Sequence, residues 1–161
     1  PAITTPYFNF FELDVLCQMG KLTEVLDKIR SYWGGMLDLG AVTFWEEYDP
    51  SVPKEEQYDM YGDHFGKSLC HAWAASPIYF LAKYFAGLDL VNKDGVTYVL
   101  KPQMQYFTDL DCILPVGSDG TVRLAWDGEC LEVIADAEGG VLELGEEKIS
   151  LVRGETRRVK I

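Results

Sequence analysis

Basic residues are scarce in this chain. Fourteen lysines and arginines stand against 26 aspartates and glutamates, for a formal net charge of −12 at pH 7. Binding nucleic acid takes a patch of lysine and arginine to meet the phosphates, so this balance argues against such a partner, and the scattered acidity reads as a solubility feature. Long apolar runs are missing as well. No stretch approaches the roughly 20 residues that span a bilayer, and no basic start leads into an apolar signal segment, so no membrane partner is expected. Histidine occurs only as His64 and His71. With Asp63 they match no familiar ligand spacing, and neither a metal nor another cofactor is expected.

Cysteine is limited to Cys17, Cys70, Cys112 and Cys130, with no C-x-x-C pair. Cys17 and Cys70 fall in predicted helices among apolar neighbours, where a free thiol behaves as a small hydrophobe, so both are expected buried. A disulfide between Cys112 and Cys130 stays open if their strands pair.

What is present divides into a helical half and a strand half. Thr5 and Pro6 suit the N-cap and first position of a helix running to Met19, with Gly20 at the left-handed cap. Its apolar residues cover nearly the whole circumference, which predicts a helix enclosed by others. A second helix is expected from Leu22 to Trp33, where Leu22, Val25, Leu26, Ile29 and Trp33 share one face and Gly34 and Gly35 end it. The short Gly20–Lys21 junction makes the two antiparallel neighbours. A third helical stretch, Ser68 to Phe85, is interrupted at Pro77, with a kink or a restart capped by Ser76. Beyond Gly87 the period changes to two. Val96, Tyr98 and Leu100, then Val122, Leu124 and Trp126, alternate as strands do, and Asp127-Gly128 signals a hairpin before Leu131 and Val133. The second half therefore reads as a small antiparallel β-sandwich, and the fold class as α+β.

Between Gly40 and Gly66 no apolar periodicity exists, and a structureless connection this long in a compact unit points to a binding or active-site loop. Its first part, GAVTFWEEYDP, sets Glu46 and Glu47 directly behind Phe44 and Trp45. Aromatic faces pack on the C–H surfaces of sugars and a carboxylate binds a hydroxyl or activates a water, so the residue types suit a saccharide site. An ordinary acidic surface loop has the same composition. Trp45 could equally be a buried loop anchor, and His71 a satisfied structural histidine.

GAVTFWEEYDP followed by FGKSLCHAWAASPIYFLAKYFAG closely resembles the C-terminal part of bacterial α-L-rhamnosidases of glycoside hydrolase family 78. The carrying positions are Thr43, Trp45 and Glu46 of a Thr-x-Trp-Glu segment, and Ser68 and His71 of a Ser-x-x-His segment. TPYFNFFELDVLCQMG and IRSYWGGMLDLGA read like the preceding barrel helices. The resemblance implies that residues 1–90 are the last helices of an (α/α)6 barrel and residues 91–161 a C-terminal antiparallel β domain. It implies Glu46 as the general base of an inverting hydrolysis, with Trp45 and His71 contacting the sugar of a rhamnose-containing glycoside. Only the family register chooses Glu46 over Glu47. Family members are several times longer, and the chain opens on Pro1 rather than methionine, so it is expected to be a piece whose partner is the remainder of a parent chain that holds the general acid. Alone it is expected to be inactive and to self-associate through uncovered helix faces. Two other readings compete, a non-catalytic carbohydrate-binding module and a structural domain that completes the barrel.

Overall fold

The computed structural model describes residues 5–93 and 95–161 and resolves into two compact units, Pro1–Tyr79 and Phe80–Ile161. Helices come first and strands after, the expected α+β class. No helix among the described residues is long and apolar enough to cross a membrane.

In the first unit, α1 (Pro6–Gln18) starts with proline at its first turn, and Gly20 takes φ 72° to turn the chain into α2 (Leu22–Asp38). The two helices pack side by side, with Lys28 of α2 pairing Glu12 of α1 at 3.5 Å. α1 buries Leu13 and Cys17 on one side and leaves Phe8, Phe11, Val15 and Met19 exposed on the other. α2 buries Val25, Leu26, Ile29, Tyr32, Trp33 and Met36 as one stripe. That stripe carries it straight through Gly34 and Gly35, so the expected stop there is corrected. Burial of Met36 one turn beyond Trp33 outweighs the poor helix propensity of two glycines.

The third stretch is also shorter than its sequence pattern suggests. Helix begins at Ser76 and runs as α3 (Ser76–Phe80), which passes into a π-helical turn, Leu81–Phe85. The restart at Ser76 is as expected. Residues 68–71, expected as helix, form an irregular stretch instead, because their backbone groups are spent on the loop before them: His71 N–H donates to Phe44 O at 2.8 Å, and Ser68 O accepts from Glu46 N–H at 2.9 Å. Cys70 is accordingly exposed rather than buried.

The second unit is a sandwich of two four-stranded sheets. One has the order β1 (Leu88–Lys93), β2 (Val96–Leu100), β6 (Gly140–Leu144), β7 (Glu147–Leu151); the other runs β3 (Leu110–Val116), β4 (Gly120–Trp126), β5 (Cys130–Asp136), β8 (Thr156–Lys160). Tyr98, Leu100, Leu114, Val122, Leu124, Leu131, Val133, Leu142 and Leu151 from both sheets form one buried core. The expectation of a purely antiparallel domain needs one correction, since β2 and β6 are parallel. The chain spends β3 to β5 in the other sheet before returning, and a crossover of that kind delivers a parallel neighbour. The Asp127-Gly128 turn forms as expected, with Asp127 Oδ1 accepting from the N–H groups of Glu129 and Cys130 at 2.9 and 2.7 Å. β4 lies between β3 and β5, so Cys112 and Cys130 sit on strands that do not pair, and none of the four cysteines is in a disulfide.

Candidate active site

Helix α2 is the wall on which the acidic loop is hung. Tyr32 points its hydroxyl at the loop and accepts from Tyr48 N–H at 3.1 Å, while the two rings meet edge to face at 5.6 Å. Burial pushes the Tyr32 phenol up, so it stays neutral and keeps its proton to share. The Tyr48 ring lies against Gly35, where a Cβ would stand 2.5 Å from Tyr48 Cζ. One turn back, Trp33 donates its indole N–H to Ala74 O at 2.8 Å and so ties down the segment that follows His71. Both strands of the site are thus referenced to one helix.

Between these ties, residues 43–46 and 68–71 run alongside each other. Thr43 Oγ1 bonds to Leu69 O and joins the two backbone bonds already given. Trp45 points inward, is 3% exposed and meets Tyr58 edge-on at 5.6 Å, which is the place of a loop anchor. Glu46, at a bend in the chain, is instead half-exposed. Its Oε1 accepts from Tyr61 Oη at 2.8 Å and its Oε2 from Ser68 N–H at 3.0 Å. Donation from the Ser68 backbone, then from Tyr61, with His71 and Lys67 nearby, holds the Glu46 carboxyl below its ordinary value. It is therefore ionised at neutral pH and half-exposed, as a carboxylate that takes a proton from water must be.

Glu47 turns back into the loop, where its Oε2 lies 4.0 Å from Lys67 Nζ. The Lys67 side chain is only 4% exposed. Burial pushes its ammonium down, against the upward pull of Glu47, Asp59, Glu46 and Asp49. His71 is half-buried, and its ring meets the exposed Trp73 edge-on at 6.1 Å. The structure thus gathers Glu46 and His71 on one side and turns Trp45 away from it. His64 bonds to Asp59 at 2.5 Å, and among the described residues no cluster of three or more His, Cys, Asp or Glu could hold a metal ion.

An ionised, doubly hydrogen-bonded carboxylate thus lies beside a histidine and exposed aromatics. No protein-family model matches the chain, and no curated protein does. Among solved structures, the crystal structure of a GH78 family rhamnosidase of Bacillus sp. GL1 superposes on 89% of this chain with a TM-score of 0.65 and 24% identity. The two share a fold. The match takes up 15% of that enzyme's length, so this chain corresponds to a small part of it.

Tyr61 and Lys67 are the two site residues that the sequence alone did not single out. Tyr-Gly between Met60 and Asp63 is a hairpin cue, but a weak one beside the Asn-Gly or Asp-Gly usually found there. Lys67 carried no signal at all, since a lysine is expected on the surface.

Proposed function

We propose that this chain is a part of an inverting α-L-rhamnosidase, the part that contributes the general base. The observation that carries the reading is the half-exposed Glu46 carboxylate, tethered through both oxygens, in a fold shared with a GH78 rhamnosidase. Glu46 takes a proton from a water as that water attacks the anomeric carbon. A second carboxyl group, supplied by the remainder of the parent chain, protonates the leaving oxygen from across a gap of roughly 6.5–9.5 Å, as inversion requires. His71 hydrogen-bonds a sugar hydroxyl, and Trp45 supports the floor of the site from below. The substrate is a rhamnose-containing glycoside. With the base but no acid, the chain by itself is inactive.

The test is hydrolysis of an aryl α-L-rhamnoside by the longer protein that carries this chain. Glu46→Gln should lower kcat by roughly 10²–10⁴-fold, the usual weight of a general base, while substrate binding persists. Retention of most of the rate would remove Glu46 from the chemistry, and absence of cleavage by the unsubstituted protein would remove the sugar. The exposure of Tyr61, Phe65 and Trp73 favours one other reading, a carbohydrate-binding module. Such a module loses affinity when these aromatics are replaced and is indifferent to Glu46→Gln.

A further inference from the structure

The geometry points to Tyr61 as a positioning residue for Glu46, placed by a strained hairpin turn so that its phenol fixes the orientation of the carboxylate. The role rests on the reading of Glu46 as the base.

Met60 and Asp63 exchange both backbone hydrogen bonds, Met60 N–H to Asp63 O at 3.0 Å and Asp63 N–H to Met60 O at 2.9 Å, closing a two-residue hairpin. The central residues both have positive φ, 54° at Tyr61 and 83° at Gly62, which is the mirror-image turn that favours Asn, Asp or Gly. Among the described residues Tyr61 is the one non-glycine with a positive φ. A bulky side chain is disfavoured in this region, and such strain persists where something else requires the residue. Burial does not require it, since Tyr61 is 81% exposed. Its hydrogen bond to Glu46 is what the phenol adds and what Asn or Gly could not.

The turn is also braced. Gly66 lies directly beneath it, where any Cβ would strike Met60 O, and Gly66 N–H donates to Asp63 O at 3.1 Å. Two residues further on, Ser68 N–H holds the second oxygen of Glu46. One folded-back loop, residues 60–68, therefore supplies both donors, and a carboxylate held at both oxygens cannot rotate away from a water. The hydrogen bond to Glu46, and then the Glu46 charge, raises the Tyr61 phenol in turn, which keeps it a donor through the neutral range.

Tyr61→Phe removes only the hydroxyl. In the longer protein, on an aryl α-L-rhamnoside, it should lower kcat roughly tenfold with KM unchanged. The acidic limb of the pH profile should move to higher pH, because the charged form of Glu46 loses a donor. Tyr61→Asn, which suits left-handed backbone better, should show the same loss with an equal or higher unfolding midpoint, so that misfolding does not account for it. An unchanged kcat and an unmoved limb would overturn the proposal. A ¹³C NMR titration of the Glu46 carboxyl in the 161-residue chain, assigned with Glu46→Gln, reads the tether independently of turnover. An upward move of its midpoint in Tyr61→Phe supports the tether, and an unmoved midpoint overturns it even where Glu46→Gln abolishes hydrolysis. If the midpoint moves but Glu46→Gln keeps the parent rate, the base reading fails and the catalytic role of Tyr61 falls with it.

Discussion

At the scale of residues, the neighbours Glu46 and Glu47 have the same side chain and opposite surroundings. Glu46 faces out with its charge stabilised by donors, whereas Glu47 faces a nearly buried ammonium. Substituting each with glutamine should separate the two roles. Glu47→Gln leaves Lys67 with a weaker partner and should lower unfolding stability by about 1 kcal/mol, the cost of a poorly compensated buried polar group, with turnover of the longer protein largely kept. Glu46→Gln should lower turnover far more than Glu47→Gln does, and urea unfolding alongside the rhamnoside assay reads both. Glu46 also makes the fold sensitive to acid. Its folded-state value lies below the ordinary 4.5, so its stabilising bonds are fully present above that pH and are lost as the pH falls through the lowered value. Asp49, held down by Ser51, and Glu143, held down by Lys101 and Lys148, act in the same direction. The urea midpoint should therefore be flat from pH 7 to about 5 and fall below pH 4.5. The residue types nominated both glutamates and only the family register chose Glu46, because the choice depends on which side chain meets the rest of the protein.

At the scale of elements, α2 shows how one helix sets the geometry of a loop that has no regular structure of its own. Its adjacent glycines look equivalent in sequence but differ in what surrounds them. Gly34 has nothing within 4 Å of where a Cβ would be, whereas Gly35 is covered by the Tyr48 ring. Gly34→Ala should raise stability by roughly 0.5–1 kcal/mol through helix propensity alone. Gly35→Ala gains the same propensity but forces Tyr48 off Tyr32 and the helix, and should destabilise by a net of about 1–2 kcal/mol. Thermal melts of the two variants should shift in opposite directions. A shift of Gly35→Ala to higher temperature would mean that Tyr48 moves aside freely and does not anchor the loop. The segment 68–71 illustrates the same dependence on partners. Its sequence suits a helix, yet hydrogen bonds to residues 44 and 46 hold it out of one, a tertiary contact overriding local preference.

At the scale of the whole molecule, the outward face of α1 stands out. Phe8, Phe11, Val15 and Met19 recur at the three- and four-residue steps of one side and are all exposed, and Tyr7 joins them to Trp73 with ring centroids 5.3 Å apart. A contiguous apolar surface of this kind is uncommon on a free-standing domain. In the longer protein we expect further helices to cover it. In isolation the chain should self-associate, and Phe8→Glu with Phe11→Glu should shift it toward monomer in sedimentation velocity while leaving the β-sandwich folded. A chain monomeric without these substitutions would show that the face tolerates water and has no missing neighbour.

What the sequence by itself determined is what local periodicity and turn chemistry encode. Cap signals at Thr5, Pro6 and Gly20 placed α1, the step of three and four placed α2, the step of two placed the strands around Tyr98, Leu124 and Val133, and Asp127-Gly128 placed a hairpin, because each signal lies within a few residues of the structure it specifies. The family resemblance, carried by the Thr-x-Trp-Glu and Ser-x-x-His segments, brought Glu46 and His71 into one candidate site. Tertiary structure alone decided the passage of α2 through its glycines, the parallel pairing of β2 with β6, the inward turn of Trp45 and the arrival of Tyr61 at Glu46. Each of these depends on a contact between residues distant in the chain, or on which side of a segment is covered, and the energy of such a contact is not carried by either residue's neighbours in sequence.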